Sequence, residues 1–262
     1  MAVTVLQISD CHLGDQPGET LLGLNTDESL LAVLSLVNDV CPQPDLVAFT
    51  GDISNTGGAD AYTRLIDIFK THTSITAPLL WLPGNHDDNA YMQQAVGSGF
   101  LASTPLGKWQ VTCLDSSIPQ AVPGEINTPE LQRSLDILQT NAQQHHLFFI
   151  HHHLQAVNCA WLDSQVITNA DEVMAAWGQY PQLKLVAHGH VHQVIEQTFA
   201  HVDIVSSPST CIQFKPNSDE FATGDEMPGF RVFTLHDDGR YETQVYRISE
   251  RDLGIDLSIS SY

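Results

Sequence analysis

The sequence predicts a layered α/β protein in which two packed, mixed β-sheets carry helices on their outer faces. Strand and helix segments alternate over the first 150 residues, strands dominate after residue 180, and five strand segments end in similar polar residues. Alternating segments are typical of parallel strands joined by helical crossovers, and consecutive strands are typical of hairpins. We therefore expect one domain over residues 1–248, followed by a polar tail at 249–262.

The first half is expected to contain five strands and four helices. Apolar runs indicate the strands, and apolar residues at helical spacing indicate the helices. Thr26 and Thr128 are the expected N-caps, with Pro129 at the first helical position, where its missing N–H costs nothing. The predicted strands are 3–9, 45–50, 78–83, 109–116 and 146–150, and the predicted helices are 26–40, 59–72, 89–97 and 128–143.

The second half is expected to be rich in strands. A hairpin turn is predicted at 236–239, "HDDG", because this polar segment joins two apolar runs. The polar, turn-rich stretch 215–229 is predicted to be a long loop. The predicted strands are 183–188, 193–199, 202–207, 230–236 and 240–248.

Composition excludes several classes of protein. The chain has 10 Lys+Arg against 31 Asp+Glu, a formal charge of −21, which would repel long nucleic acids and acidic membranes. No apolar run approaches the about 20 residues of a membrane-spanning helix, and the N-terminal stretch is typical of a strand and not of a signal peptide. We expect a cytoplasmic protein. The five cysteines are widely spaced and form no C-x-x-C, which argues against disulfides or a thiolate zinc site.

Metal-binding side chains follow five of the predicted strands. Ligands bind beyond the carboxyl ends of strands in α/β sheets, so these side chains are expected to meet at one edge. The gaps from Asp10 to Asp52 and from Asp52 to Asn85, 42 and 33 residues, each have room for one crossover. In extended chain, residues two apart point the same way, which would pair Asp10 with His12. The residues concerned are Asp10 and His12, Asp52, Asn85 to Asp87, His151 to His153, and His188, His190 and His192.

This set of ligands suits two metal ions better than one. Three oxygen donors and four imidazoles are too many for one transition metal, whereas a bridging carboxylate would give each of two metals about four ligands. A pair of metals about 3.5–4 Å apart is the arrangement used for in-line displacement at phosphorus. Mixed oxygen and nitrogen ligands without sulfur favour manganese, iron or zinc.

The same motifs, in this order, resemble those of the calcineurin-like metallophosphoesterases. The motifs are D-x-H, G-D, G-N-H-D, H-H and G-H-x-H, and they span residues 4 to 192. The resemblance implies a four-layer α/β/β/α sandwich of two mixed β-sheets flanked by helices, with a dinuclear metal centre. The matching stretches are Asp10–His12, Gly51–Asp52, Gly84–Asp87, His151–His152 and Gly189–His192.

Three further stretches resemble the class III bacterial cyclic AMP phosphodiesterases. They are "NTDESL" (25–30), "CAWLD" (159–163) and "STCIQFKP" (209–216). That family hydrolyses 3′,5′-cyclic AMP to 5′-AMP. Aligning the histidine pair from its first member makes His151 the expected ligand. Members of that family have prolines after the pair, whereas this chain has "HHHLQA", so His152 stays an alternative.

The resemblance implies a role for each site residue. A metal-bound hydroxide would attack phosphorus, His86 would contact the phosphate and help the leaving oxygen take a proton, and Asp87 would orient His86. Two divalent or trivalent metal ions are implied per chain, with manganese or iron favoured and zinc as an alternative. Metal one would take Asp10, His12 and His192; metal two would take Asn85, His151 and His190; Asp52 would bridge them; and His12, Asp52, Asn85, His86 and His192 would contact the substrate.

Other functions are weighed against this one. The same centre could act on other small diesters, such as glycerophosphodiesters or 2′,3′-cyclic nucleotides. A binding module without catalysis would lack a ligand or His86, and all are present. A dinucleotide-binding oxidoreductase would carry G-x-G-x-x-G where this chain has "DCHLGD". Lys215 and residues 23–25 are further candidates for substrate contact. Oligomeric state is left open, with a dimer as one alternative.

Overall fold

The computed structural model describes residues 2–256, 258 and 259; the rest of the predicted tail, 257 and 260–262, lies outside the described residues. The strands are β1 (Ala2–Ile8), β2 (Thr20–Leu21), β3 (Leu24–Asn25), β4 (Leu46–Thr50), β5 (Leu79–Leu82), β6 (Ser103–Leu106), β7 (Trp109–Cys113), β8 (His145–Phe149), β9 (Leu183–His188), β10 (Glu196–Phe199), β11 (Val202–Ser206), β12 (Gly229–His236) and β13 (Tyr241–Arg247). The helices are α1 (Thr26–Val40), α2 (Ala59–His72), α3 (Asn89–Val96), α4 (Thr128–Thr140), α5 (Ala160–Asp163) and α6 (Ala170–Trp177), with a 3₁₀ turn at Gly97–Gly99.

Two mixed sheets form the centre of the fold. The first has the order β13-β12-β1-β4-β5, in which β1, β4 and β5 are parallel and β12 and β13 are antiparallel to their neighbours. The second has the order β10-β11-β9-β8-β7-β6, in which the four inner strands are parallel and both edge strands antiparallel. The prediction of two mixed sheets is confirmed.

Three apolar clusters define four layers. One cluster lies between the sheets, and the other two lie between each sheet and its own helices. The alternation along β4 illustrates this, because Phe49 packs in the cluster with α1 and α2 while Ala48 faces the other sheet. This is the α/β/β/α sandwich that the resemblance implied.

The sequence patterns missed several local features. The N-caps of α1 and α4 are Asn25 and Asn127, each one residue before the expected threonine, and each accepts the N–H three residues on. Asn-Thr places two good caps side by side, and the asparagine takes the position. The edge strand β6 carries Pro105, which obscured its pattern. The short helices α5 and α6 and the β2–β3 pair were not predicted.

The tail was expected to add little to the core, but its described part packs against the domain. Leu253 and Ile255 contact an apolar cluster that contains Leu24, and the Asp256 N–H donates to the Leu22 carbonyl at 2.8 Å. The tail therefore covers the β2–β3 hairpin.

All five cysteines are buried and unpaired, so the prediction of no disulfides is confirmed. Among the described residues, no helix has the length and apolar character that crossing a bilayer requires.

The topology brings the predicted strand ends together. β1, β4 and β5 are neighbouring parallel strands, and so are β8 and β9, so all five carboxyl ends lie at one edge of the sandwich. Gln7 links the sheets there, because its side-chain amide donates to Thr50 Oγ1 at 3.0 Å and to the His188 carbonyl at 3.2 Å. The candidate site therefore spans both sheets.

We expect Phe49→Ala to destabilise the fold strongly. Phe49 is fully buried, stacks on Trp81 at 4.1 Å and meets Phe69 edge-on at 5.4 Å between ring centroids. Emptying such a site costs about 3–5 kcal/mol. Urea denaturation should show this loss, whereas Tyr91→Ala, at a side chain 49% exposed, should change the free energy of unfolding by less than about 0.5 kcal/mol. Equal losses in both variants would contradict the proposed packing.

Candidate dinuclear metal centre

The structure brings the predicted ligands together from five strand ends. Asp10, His12 and His192 offer ligand atoms that all lie within 4.8 Å of one another, although the first two are about 180 residues from the third. The same holds for Asp10, Asp52 and His151. The first group is the set expected around metal one, and the second joins Asp10 of metal one and His151 of metal two to the predicted bridge, Asp52.

Asp52 lies between the two groups of histidines. Its Oδ2 atom is 3.2 Å from His151 Nε2 and 3.7 Å from His12 Nε2. Its Oδ1 atom accepts the backbone N–H of His86 at 2.9 Å, which fixes the carboxylate in place. One oxygen of Asp52 therefore lies close to a predicted ligand of each metal.

Hydrogen bonds select which ring nitrogen of each histidine faces the centre. His151 Nδ1 lies 2.9 Å from the Thr50 carbonyl, His192 Nδ1 lies 2.8 Å from the Ile212 carbonyl, and His12 Nδ1 lies 3.3 Å from Asn55 Oδ1. Because these oxygens only accept, each Nδ1 carries a proton, and Nε2 is the nitrogen that presents a lone pair when the ring is neutral. Three histidines are thus held in the tautomer that binds a metal through Nε2.

The arrangement of acceptors fits cations. The Nε2 atoms of His12 and His192 are 3.2 Å apart, and two lone pairs so close repel unless a cation lies beside both. Asp10 Oδ2, Asn85 Oδ1 and His190 Nε2 are buried and make no hydrogen bond among the described residues. Buried polar atoms are seldom left this way. The seven predicted ligands therefore suit a pair of metal ions.

The backbone at the ligands is left-handed and not extended. Asp10, His12, Asp52, His190 and His192 have φ between 46° and 65°. The expectation that Asp10 and His12 share a side because the chain is extended was wrong in its reason, although both reach the centre. Non-glycine residues in this conformation cost about 1–3 kcal/mol each and cluster at functional sites. Backbone bonds such as Asp10 N–H to the Gly51 carbonyl, at 3.0 Å, hold the turns.

Two motif glycines are required by close approach. A Cβ atom on Gly84 would lie 2.1 Å from Asp52 Oδ1, and one on Gly189 would lie 2.5 Å from Asp10 Oδ2. Neither gap can hold a carbon atom, so any side chain would displace a carboxylate. The glycines of G-N-H-D and G-H-x-H therefore leave room for the ligands on neighbouring strands.

Burial and charge set the protonation of the centre. Burial disfavours protonated His151, but the Asp52 carboxylate outweighs burial and raises the pKa of His151 to about 9. Burial would raise the pKa of Asp52, yet the charges of His151 and His86 hold it well below its usual range. Burial lowers the pKa of His12 to about 3 and that of His190 well below its ordinary value. His12 and His190 are therefore neutral, as metal ligands must be, whereas a metal ion bound at His151 would take the place of a proton on that ring.

The contacts distinguish His151 from His152. Both ring nitrogens of His152 are engaged, Nδ1 with Ser116 Oγ at 2.8 Å and Nε2 with the Val122 carbonyl at 3.0 Å. Ser116 Oγ also accepts the backbone N–H groups of both histidines, so its proton goes to His152 Nδ1. His152 Nε2 is then the donor to Val122. These contacts favour His151 as the ligand.

His86 and Asp87 follow Asn85 but act separately. His86 Nδ1 donates to the Asn55 carbonyl at 2.9 Å, and this bond orients the ring. Asp87 was expected to orient His86; its carboxylate accepts the backbone N–H groups of Ile53, Ser54 and Gly84 at 2.9–3.3 Å. Asp87 instead ties the turn after β4 to the turn after β5.

Asn55 is a site residue that the motifs did not reveal. Its side-chain oxygen accepts from His12, and its carbonyl accepts from His86, so it positions a predicted metal ligand and the predicted acid together. The available signal was its place three residues after Asp52 in "GDISN". A polar residue in a turn is too common to identify by itself.

A cavity of about 240 Å³ opens beside the centre. The two further candidates for substrate contact, residues 23–25 and Lys215, do not line this cavity. Asn25 caps α1, and Leu24 is 1% exposed in an apolar cluster. Lys215 is exposed beside a separate groove. The lining residues are Asp52, Asn85, His86, Val122, Trp161, Gln165, His190, Phe214 and Phe221.

Solved structures share this fold at low sequence identity. A dimetal phosphatase from Danio rerio superimposes with a TM-score of 0.62 at 16% identity, covering 94% of this chain and 99% of that one. The purple acid phosphatase PPD1 of yellow lupin also gives a TM-score of 0.62, at 12% identity, covering 97% of this chain and 52% of that one. These likenesses confirm the predicted fold class.

Sequence relatives extend over nearly the whole chain. A Pseudomonas aeruginosa protein named 3′,5′-cyclic adenosine monophosphate phosphodiesterase CpdA is 36% identical, covering 100% of this chain and 96% of that one. The 3′,5′-cyclic-nucleotide phosphodiesterase alr5338 of Nostoc is 34% identical, with 95% and 93% covered. Residues 3–194 match the calcineurin-like phosphoesterase family. The chain therefore belongs to the calcineurin-like phosphoesterase family.

Proposed function

We propose that this protein is a metal-dependent phosphodiesterase that hydrolyses 3′,5′-cyclic AMP to 5′-AMP. One observation carries the proposal: Asp52, the predicted bridging ligand, lines a single cavity of about 240 Å³ together with Asn85, His190 and His86. Three further predicted ligands, Asp10, His12 and His151, are grouped with Asp52. Likeness over the full chain to enzymes named for cyclic AMP supports the choice of substrate.

Seven side chains would hold two metal ions. Bound there, the ions would supply positive charge for the phosphoryl oxygens and an activated water as nucleophile. Asp52 lies close to both sets of ligands and would hold them at a fixed separation. The sets are Asp10, His12 and His192, and Asn85, His151 and His190.

His86 is the proposed acid for the leaving 3′-oxygen. Its Nδ1 proton is committed to the Asn55 carbonyl, so Nε2 is the nitrogen that can exchange a proton with the substrate. His86 lines the cavity, and its backbone N–H bonds Asp52, so its ring is held close to the phosphate position. Asp87 supports this geometry through the turns that its carboxylate holds.

Other small diesters remain the alternative substrates. Glycerophosphodiesters and 2′,3′-cyclic nucleotides would use the same centre, and a comparison of kcat/KM values across these diesters decides among them. Manganese or iron as the native metals, the cytoplasmic location and the exclusion of nucleic acids stay predictions.

We expect His151→Ala to lose metal and His152→Ala to keep it. His151 presents Nε2 to the centre, whereas both nitrogens of His152 are bonded to Ser116 and Val122. Atomic emission on protein dialysed against manganese should find fewer than two ions in the first variant and two in the second. Loss from His152→Ala alone, in protein with a native melting curve, would reverse the assignment.

We expect His86→Ala to keep both metals but to lower kcat for cyclic AMP by about 100-fold or more, the usual size of a general-acid contribution. The loss should be smaller for bis(p-nitrophenyl) phosphate, because nitrophenolate leaves without a proton. Asp52→Ala, the control, should lose metal and both activities.

If His86→Ala lowers kcat equally for both substrates, His86 does not act as an acid, and its role is limited to binding the phosphate.

A further inference from the structure

The cavity beside the metal centre has two chemically different sides. Asp52, Asn85, His86 and His190 form the polar side, where the phosphate would bind. Three aromatic rings dominate the rest of the lining. None of the described residues that line the cavity is a lysine or an arginine, so this aromatic part offers no second binding site for phosphate charge.

Three distant segments supply the aromatic rings. Trp161 lies on α5, in "CAWLD", and Phe214 lies in "STCIQFKP", the two stretches whose function the metal ligands do not explain. Phe221 comes from the loop predicted at 215–229. The three residues form one group, which we call the aromatic wall.

The loop that carries Phe221 is closed and anchored. The Lys215 N–H donates to the Ala222 carbonyl at 2.8 Å, so the residues between form a closed turn. The Cys159 thiol lies 3.1 Å from the Ser218 carbonyl, which ties the loop to the start of α5. Phe221 and Trp161 are therefore positioned relative to each other by the fold.

The rings of the aromatic wall meet edge to face. Trp161 lies 4.9 Å from Phe214 and 5.2 Å from Phe221 between centroids, at 78° and 68°. Phe214 is 3% exposed, whereas Trp161 and Phe221 are partly exposed. Ring area thus remains available at the cavity on two of the three residues.

The aromatic wall is joined directly to the metal centre. Phe214 stacks on His192 with centroids 4.1 Å apart and planes within 7°. His192 is a predicted metal ligand, so this contact places the aromatic wall next to the predicted metal centre. A substrate with its phosphate at the metals would have a second group placed against the rings.

We propose that Trp161 and Phe221 form the surface on which the nucleobase of the substrate stacks, with Phe214 as their support. This assignment rests on the proposed function, because it takes a nucleotide as the substrate. Every base has a flat π face, and stacking on aromatic side chains is a general means of holding it. A glycerol substituent would leave the rings uncovered, so the wall also favours nucleotides over glycerophosphodiesters.

Equilibrium binding to the manganese-loaded protein tests the aromatic wall without turnover. Calorimetry would compare 5′-AMP with ribose 5-phosphate, which has the same phosphate and sugar but no base. The wild type should bind 5′-AMP about tenfold or more tightly. Trp161→Leu and Phe221→Leu should each weaken the binding of 5′-AMP about fivefold or more. They should change the affinity for ribose 5-phosphate less than about twofold.

Two further variants separate stacking from folding. Trp161→Phe keeps a ring and should retain most of the preference for 5′-AMP, whereas Tyr91→Leu, at an exposed ring outside the cavity lining, should change neither affinity. Equal wild-type affinity for the two ligands, or equal weakening of both by the leucine variants, would overturn the inference.

Turnover of cyclic AMP, measured in parallel, distinguishes failure of the base-stacking inference from failure of the proposed function. A preference for 5′-AMP without hydrolysis of cyclic AMP would support the aromatic wall and overturn the function. Hydrolysis without the preference would support the function and overturn the wall.

Discussion

Two buried carboxylates, at the edge where the two sheets meet, are the constraint on which the site depends. Asp10 is fully buried and Asp52 is 2% exposed. Removing such charges from water is costly unless they are paired and hydrogen-bonded. Each accepts one backbone N–H, from His190 and His86 respectively, and each faces histidine nitrogens. Protein groups compensate only part of this negative charge, and a pair of bound cations would compensate the rest.

The local backbone follows from this constraint. Five ligands adopt left-handed φ values because their side chains must turn back toward one point from the ends of straight strands. Such strain persists only where the surrounding structure holds it. Here three apolar clusters fix the strands, and bonds such as His12 N–H to the Asp52 carbonyl, at 2.9 Å, fix the turns. The stability of the sandwich therefore maintains the geometry of the site.

Single residues connect the layers of the site. Asn55 holds a predicted ligand, His12, and the predicted acid, His86, so both move with one turn. His152 links the strand end that carries His151 to Val122 at the rim of the cavity. Phe214 links His192 to the aromatic wall. Metal binding, acid catalysis and substrate binding therefore depend on shared positions.

The sequence by itself determined the fold class and predicted the set of candidate metal ligands. Strand periodicity and the polar residues after each strand are local patterns, and parallel strands must end at one edge. It could not decide between His151 and His152, the true partner of Asp87, or the role of Asn55. Those depend on contacts such as Ile53 with Asp87, 34 residues apart, and on backbone turns that no periodicity encodes. Only tertiary structure placed Trp161, Phe214 and Phe221 together, since edge-to-face contacts between rings from separate segments leave no trace in sequence spacing.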